Sequence, residues 1–336
     1  MPEIVQIAVI MIASLAGLVW SAHFFVGGSA SLARHLGMRP GLIGLTIVAF
    51  GTSAPEIAVS ADAALEGAPD LGVGNAIGSN IANIGLVLGV SCLIARLPVD
   101  KPLFRLEIPL LIIATSAAFI TLYDNTLSRS EGLLLLCGAL MMPFVLIFDP
   151  RKEDEEEAEE AFEEEIPQLS KGMSWLWLTG GLVALLLSSE FLVGSATDLA
   201  ILFGVSPMIV GLTVVALGTS LPELAASIAS LLKGHSEMAI GNIIGSNILN
   251  ILAVMSLPGV IMPSVMSAEI FSRDVFTMTA LTILLLGVSW LKIYAPFSNK
   301  EKSAANGSST ATLGRPIGIV FLIVYIAYYA HIFATN

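Results

Sequence analysis

Ten apolar stretches, each long enough to cross a lipid bilayer as a helix, dominate this 336-residue chain. A membrane-spanning helix needs about 20 predominantly apolar residues. With 55% hydrophobic and 12% charged residues, a soluble fold is excluded. The sequence therefore predicts an all-α polytopic membrane protein with ten transmembrane helices. The predicted spans are residues 4–33, 41–65, 71–95, 106–123, 131–148, 173–202, 208–232, 238–262, 274–293 and 315–334.

Several classes of site are absent from the sequence. Cys92 and Cys137 both lie inside apolar stretches, so we expect small core residues rather than a disulfide or a metal site. The net charge of −12, with no basic cluster and no phosphate-binding glycine loop, argues against nucleic acid and ATP as partners. No cofactor is expected. The first apolar stretch continues past residue 30, which predicts a retained span rather than a cleaved signal peptide.

Basic residues are distributed unevenly between the two sets of predicted loops. The loops that follow odd-numbered spans hold thirteen Lys and Arg residues, whereas the other loops hold only Arg129 and Arg273. Because Lys and Arg collect on the cytoplasmic side of membrane proteins, both termini are predicted to be extracytoplasmic. The loops are compact and hold no large regulatory domain, which favours a prokaryotic plasma (inner) membrane.

The chain repeats itself at a fixed separation of 167 residues. Residues 44–84 match residues 211–251 without a gap at 23 of 41 positions. Each half contains five predicted spans, and an odd number makes the second copy enter the membrane from the opposite side. We therefore predict two inverted five-helix repeats, residues 1–148 and 173–336, joined by an acidic cytoplasmic linker at residues 149–172. Inverted repeats are typical of transporters.

Glu56 and Glu223 lie at equivalent positions in the middle of the second and seventh spans. An ionisable group at this depth is costly and is a functional candidate by default. Two carboxylates ~6 Å apart repel by about 3 kcal/mol at an effective dielectric near 20, so a cation is expected between them. In the segments GTSAPE and GTSLPE, Gly and Pro weaken the helix, and Ser53 and Ser220 are placed to cap a restarting half-helix. The freed carbonyl groups, the hydroxyl groups and the carboxylates suit Ca2+ or Na+.

A polar stripe on the third and eighth spans is predicted to face the same site. It consists of Asn75, Ser79 and Asn83, repeated as Asn242, Ser246 and Asn250. These residues share one helix face and add oxygen ligands without charge, so the cavity carries roughly −2. One Ca2+, two Na+ or protons would neutralise it, although helix packing explains any single serine equally well. His23 and Glu190 are also equivalent; a structural role at a helix contact is favoured, with a gating or pH-sensing pair as the alternative.

The paired GTSxPE and GNxxGSNIxNI segments resemble the two alpha repeats of the cation/calcium antiporter superfamily, most closely its prokaryotic sodium/calcium exchanger branch. The resemblance covers both halves in order. It implies a secondary active transporter, not an enzyme, that exchanges Na+ for Ca2+ by alternating access. In this family helices 1 and 6 slide across the remaining bundle.

The resemblance also implies roles for individual residues. The family's central glutamates, which bind Ca2+ and also serve Na+, match Glu56 and Glu223. Its main-chain ligands match Thr52 and Thr219 for Ca2+ and Ala49 and Ala216 for Na+, and its sodium-site side chains match Ser53, Ser79, Ser220, Ser246 and Asn83. Asn250 replaces an Asp of several relatives, which puts potassium co-transport in doubt.

Three other functions remain open on the sequence. A proton-coupled antiporter of Ca2+ or another divalent cation would use a different gradient, although such proteins carry a GNxxE-type segment in place of GTSxPE. A cation channel would assemble repeated filters, whereas two broken helices in an inverted repeat form an occludable site. An intramembrane hydrolase would need a base beside Ser53 or Ser220, and His23 is the only histidine within a central span. The oligomeric state is not fixed, and a monomer is compatible with the sequence.

Overall fold

The structure is a computed structural model that describes residues 2–38, 40–99, 106–147, 167–203, 216–294, 301–302 and 309–335. Six helices of these residues are long and apolar enough to cross a membrane, and a seventh is added if the bent pair Gly41–Thr52 and Ala54–Leu65 counts as one span. Two further apolar helices, Glu107–Thr121 and Leu217–Leu232, are shorter. The prediction of a helical, multi-pass membrane protein is confirmed.

We number the helices of the described residues by the predicted span that each one occupies. Helix 1 is Pro2–Leu36, helix 4 is Glu107–Thr121 and helix 5 is Arg129–Ile147. Helix 2 consists of the pieces Pro40–Ile43, Gly44–Val48, Ala49–Thr52 and Ala54–Leu65. Helix 3 consists of the pieces Pro69–Ala82, Asn83–Leu88 and Gly89–Ile94. Helix 6 is Lys171–Leu202 and helix 10 is Arg315–Thr335. Helix 7 consists of the pieces Ala216–Thr219 and Leu221–Leu232, and helix 9 of Ile270–Val275 and Phe276–Tyr294. Helix 8 consists of the pieces Ser236–Leu249, Asn250–Val254 and Ser256–Ile261. Most of the predicted acidic linker lies outside the described residues.

Short strands connect the ends of the helices, so the predicted all-α class was incomplete. Leu97–Val99, after helix 3, pairs antiparallel with Ser309–Leu313, which precedes helix 10 and also pairs with Glu301–Lys302. Thr126–Leu127, after helix 4, pairs with Ser264–Val265, after helix 8. Backbone groups in these loops need hydrogen-bond partners, and the ladders supply them. Hydropathy, which located the spans, carries no signal for such short pairings.

Contacts between loops respect the predicted alternation of sides. We number each loop by the helix that it follows. The strands Leu97–Val99 and Ser309–Leu313 connect loops 3 and 9, and the strands Thr126–Leu127 and Ser264–Val265 connect loops 4 and 8. Nε2 of His35, in the last turn of helix 1, lies 2.9 Å from the carbonyl oxygen of Leu169, before helix 6. The backbone N–H of Ser267, after helix 8, donates at 3.0 Å to the carboxylate of Asp70, in the first turn of helix 3 where it leaves the loop after helix 2. Odd loops therefore contact odd loops, and even loops contact even loops.

Helices 1 and 6 pack antiparallel against each other through glycines. A Cβ at Gly28 would lie 2.4 Å from the backbone nitrogen of Leu178, and one at Gly181 would lie 2.5 Å from that of Phe25. Such close approach through small residues is common between membrane helices. His23 and Glu190 are both exposed, and the antiparallel crossing does not bring them together. A gating pair of these two residues is therefore not formed in this structure.

The main core lies among helices 3, 4, 8 and 9, where branched residues such as Ile77, Ile81, Ile244 and Ile248 are buried. Cys92 is buried within this core, as predicted. Cys137 is exposed, so its prediction as a core residue was wrong. A membrane span can be apolar on every side, because one side faces lipid, and hydropathy alone does not tell the two faces apart.

Candidate functional site

Glu56 and Glu223 are fully buried, one in each half of the chain. Each carboxylate follows a bend in its helix, and in helix 2 the two pieces meet at an angle of 43°. The bend residues adopt nearly the same conformation, with φ −81° and ψ 7° at Ser53 and φ −87° and ψ 3° at Ser220. The Pro that follows two residues later, Pro55 or Pro222, lacks the N–H that would continue the helical hydrogen bonds. The two repeats thus build the same local structure around the same acid.

The bends are not capped by serine side chains, contrary to the sequence prediction. Neither Ser53 nor Ser220 makes a side-chain capping hydrogen bond. An N-cap residue usually has an extended backbone, but these serines stay close to helical angles. Ser53 N–H still donates to the carbonyl of Ala49 at 3.0 Å, as in a continuous helix. The helix is therefore bent rather than ended and restarted, and both hydroxyls remain available to the site.

The two bends meet through a hydrogen bond between the repeats. The Ser53 hydroxyl donates to Oε1 of Glu223 at 3.1 Å. The remaining carboxylate oxygens, both of Glu56 and Oε2 of Glu223, are buried without a hydrogen-bond partner in the described residues, as is the Ser220 hydroxyl. The two carboxylates are also close enough to interact electrostatically. Buried carboxylate oxygens without partners are costly, which makes this place attractive to a cation.

The polar stripes of helices 3 and 8 reach the same place. Ser79 lies beside the Glu56 carboxylate, and Ser246 lies beside that of Glu223. Asn83 and Asn250 are buried, and their amide groups have no hydrogen-bond partner in the described residues. Each of these asparagines begins a π-helical turn, Asn83–Leu88 and Asn250–Val254. Such turns are frequent at functional sites, and no sequence pattern predicted them.

The first asparagine of each stripe holds the main chain of the adjacent glutamate through its amide nitrogen. The amide nitrogen of Asn75 donates to the main-chain oxygen of Glu56 at 3.2 Å, and that of Asn242 donates to the main-chain oxygen of Glu223 at 3.4 Å. Asn242 also donates to the hydroxyl of Ser227 at 3.0 Å. These bonds fasten each bent helix to its neighbour directly at the glutamate. Ser227 was missed on the sequence, although its identity with Ser60 in the repeat alignment could have revealed it.

The predicted main-chain ligands lie on the piece of helix just before each bend. Thr52 and Ala49 are buried, and the Thr52 hydroxyl donates to the Ala49 carbonyl at 3.3 Å and to Oδ1 of Asn242 at 3.4 Å. The Ala49 carbonyl therefore accepts two hydrogen bonds in this structure. In the second repeat Ala216–Thr219 is helical, and Ser220 N–H donates to the carbonyl of Leu217 at 3.2 Å. At both bends the serine N–H thus keeps a backbone hydrogen bond to the preceding piece of helix.

The chemistry of these groups is that of a hard-cation site. Carboxylate, hydroxyl, amide and main-chain oxygens are the ligands that Ca2+ and Na+ prefer, and the described residues hold no cluster of three or more His, Cys, Asp or Glu side chains. Fold and site together describe a multi-pass membrane protein in which a buried group of oxygen atoms, of the kind that suits a hard cation, lies between helices 2 and 7.

This class is specified further by comparison with known proteins. Residues 6–148 and 173–334 match the family described as "Sodium/calcium exchanger protein", and the chain belongs to this family. The match covers both halves and leaves out the acidic segment between them. The resemblance to the prokaryotic sodium/calcium exchanger branch is confirmed.

Individual relatives agree with this assignment. The chain is 45% identical to the putative antiporter CaxA of Alkalimonas amylolytica over 75% of its own length and 82% of that protein. It is 28% identical to the sodium/calcium exchanger MaX1 of Methanosarcina acetivorans over 75% and 82% of the two chains. A solved structure of the sodium-calcium exchanger NCX_Mj superposes with a TM-score of 0.79 at 30% identity, covering 97% of this chain and 98% of that one.

Proposed function

We propose that this protein is a secondary active transporter that exchanges Na+ for Ca2+ across the membrane. The observation that carries the proposal is the pair of fully buried carboxylates, Glu56 and Glu223, three of whose four oxygens have no hydrogen-bond partner in the described residues. A dication balances their combined charge, and the surrounding neutral oxygens complete its ligand shell. Membership of the exchanger family and the names of its relatives support the choice of ions.

The proposed topology is ten spans in two inverted repeats, residues 1–148 and 173–336, joined by a linker at residues 149–172. Three observations support it. Loop contacts join odd loops to odd and even loops to even, as alternate crossing requires. Helices 1 and 6, which are equivalent, run antiparallel, as a two-fold axis in the membrane plane demands. Helices 4 and 9 meet across one cavity of about 370 Å³ that is lined by equivalent residues, among them Thr115 and Thr282.

Cation binding is proposed to use the residues predicted from the sequence. Glu56 and Glu223 bind Ca2+ and Na+ directly, with the main-chain oxygens of Thr52 and Thr219 as further Ca2+ ligands. Na+ is held by a larger set of hydroxyl, amide and main-chain oxygens, those of Ser53, Ser79, Ser220, Ser246, Asn83, Asn250, Ala49 and Ala216. The Ser53 hydroxyl can serve here while it donates to Glu223, because its lone pairs remain free to face a cation.

Exchange follows from competition for the same oxygens. A cavity with two uncompensated carboxylates resists closure because desolvating unpaired charge is costly, so the protein changes its accessible side only when loaded. Na+ moving down its gradient then drives Ca2+ the other way. Helices 1 and 6 are suited to be the moving part, because few of their residues are packed inside the protein. Only 22% of the most apolar 18-residue stretch of each helix is buried.

The proposed setting is the plasma (inner) membrane of a prokaryote, with both termini extracytoplasmic. The uneven distribution of Lys and Arg between loops supports this orientation. Na+, Ca2+ and the lipid bilayer are the proposed partners, with no nucleic acid and no bound cofactor. The second candidate is a proton-coupled divalent antiporter, which the same two carboxylates would also serve, because protons can neutralise them.

The test is Ca2+ flux in proteoliposomes under separate Na+, pH and K+ gradients. Na+-driven flux is expected in the unchanged protein, and Glu56→Gln or Glu223→Gln should reduce it by at least about a hundredfold, the effect of breaking a buried charge pairing. Glu66→Gln on the exposed end of helix 2 is the matched control and should keep full activity. Flux driven only by a pH gradient would transfer the function to the proton-coupled antiporter. Full exchange in both glutamine variants would overturn the assignment of the site.

A further inference from the structure

A second cavity lies far from the glutamates, at the ends of helices 3, 9 and 10. Its volume is about 760 Å³, within the range of small-molecule sites. Helix 3 contributes Cys92 to Arg96, helix 9 contributes Lys292, and the start of helix 10 contributes Gly314 to Ile317. Antiparallel pairing of Leu97–Val99 with Ser309–Leu313 fixes the loops beside it. The cavity is therefore built from several elements held in register.

Three basic side chains line this cavity: Arg96, Lys292 and Arg315. None of the lining residues that the structure describes is acidic. Nε of Arg315 donates to the carbonyl of Leu93 at 3.1 Å, which holds the guanidinium at the cavity wall while its other N–H groups can reach a ligand. Lys292 and Arg315 at one cavity, with no acidic side chain among the described residues that line it, favour an anion.

The surroundings of the cavity identify the anion as part of a lipid. Ile94, Leu291, Ile319 and Val320 next to the basic residues expose their apolar side chains. On helix 9 the rings of Trp290 and Tyr294 pack with centroids 4.3 Å apart, and the two residues lie two positions before and two positions after Lys292. Trp and Tyr gather at the level of lipid headgroups. The cavity thus combines a polar, cationic interior with an apolar rim at the membrane surface.

We propose that this cavity binds the phosphate headgroup of an anionic phospholipid on the side of the odd-numbered loops, through Arg96, Lys292 and Arg315. Basic cavities between membrane helices on the cytoplasmic side bind such headgroups. The exposed apolar side chains beside the cavity receive the acyl chains. The bound lipid bridges helices 3, 9 and 10. Helices 3 and 10 approach closely at this end, because a Cβ at Gly318 would lie 2.6 Å from the carbonyl oxygen of Gly89.

The experiment measures lipid binding to the purified full-length protein in neutral detergent. Thermal unfolding and native mass spectrometry are recorded with phosphatidylglycerol, with phosphatidylcholine and with inorganic phosphate. Phosphatidylglycerol should stabilise the protein and remain bound, whereas the other two should not. The double variant Lys292→Gln/Arg315→Gln should bind phosphatidylglycerol about thirtyfold more weakly. This is the effect expected when a protein loses two basic residues that interact with anionic lipid.

The control is Arg34→Gln/Lys171→Gln, which removes two basic residues at the ends of helices 1 and 6 that do not line the cavity. It should bind phosphatidylglycerol as the unchanged protein does. Equal loss in both double variants, or no loss in the first, would overturn the site. Equal stabilisation by inorganic phosphate would overturn the lipid as its occupant. Should the double variant fail to fold, Lys292→Arg/Arg315→Lys must retain binding and the single glutamine variants must each weaken it.

Discussion

Ser53 of helix 2 donates a 3.1 Å hydrogen bond to Oε1 of Glu223 in helix 7, so the hydroxyl of one repeat serves the carboxylate of the other. The equivalent hydroxyl, Ser220, has no partner in the described residues. The two halves share sequence and local conformation but not this contact. A repeat protein that changes its accessible side needs such an asymmetry, because two identical halves in identical contacts would open equally to both sides.

This asymmetry predicts unequal effects of removing the two hydroxyls. Without added cations, Ser53→Ala should lower the free energy of unfolding by about 2 kcal/mol, because the buried Glu223 carboxylate loses the hydrogen bond that the Ser53 hydroxyl donates at 3.1 Å. Ser220→Ala should change it by less than about 0.5 kcal/mol, since no bond is lost. Thermal unfolding of the two variants in cation-free detergent is the measurement. Equal destabilisation by both substitutions would show that the Ser53 bond does not stabilise this state.

The two asparagines that hold the glutamate main chains should also differ. Asn242 is fully buried and joins the Glu223 carbonyl, Ser227 and Thr52, whereas half-buried Asn75 makes one bond, to the Glu56 carbonyl. Asn242→Ala should therefore cost about 3 kcal/mol of stability and Asn75→Ala about 1 kcal/mol. Equilibrium unfolding in a mild denaturant series would compare them. A larger loss for the Asn75 variant would contradict the assignment of these bonds.

The sequence predicted the site better than the contacts within it. The glutamates, the bend serines and the polar stripe could be located because they recur at a separation of 167 residues in segments where polar groups are expensive. The bond from Ser53 to Glu223 could not be predicted, because sequence separation says nothing about which repeat's hydroxyl reaches which carboxylate. The same limit applies to the bond from the amide nitrogen of Asn75 to the main-chain oxygen of Glu56, which the stripe pattern does not predict. The exposure of Cys137 was missed because lipid-facing and core-facing positions are equally apolar.

The close packing of helices 1 and 6 predicts that alanine is tolerated at Gly180 but not at the next residue, Gly181. A Cβ at Gly181 would lie 2.5 Å from the backbone nitrogen of Phe25, whereas one at Gly180 meets no atom of the described residues within 4 Å. Gly181→Ala should force the two helices apart and cost about 1–3 kcal/mol, with a matching fall in exchange if the pair moves as a unit. Gly180→Ala should be neutral or stabilising, because alanine favours helix.

Both variants are to be compared by thermal unfolding in detergent and by Na+-driven Ca2+ flux in proteoliposomes. Normal stability and flux in the Gly181 variant would mean that the helices are not in the close contact described. Loss of flux in the Gly180 variant with normal stability would instead place a functional contact on the opposite face of helix 6.

Because of His235, in the loop between helices 7 and 8, we expect the free energy of unfolding to fall in acid. Burial, and secondarily the positive charge of Lys233, lower the pKa of His235 to about 4. The unfolded chain binds a proton at this histidine near pH 6.5, while the folded protein does not until about pH 4. The contribution of His235 to the free energy of unfolding is therefore complete above pH 6.5 and declines by about 3 kcal/mol as the pH falls to 4.

His235→Ala should flatten that decline, whereas His331→Asn at an exposed position should not. Unfolding midpoints measured from pH 8 to pH 4 would decide it, and an unchanged slope in the His235 variant would assign the acid sensitivity to other groups.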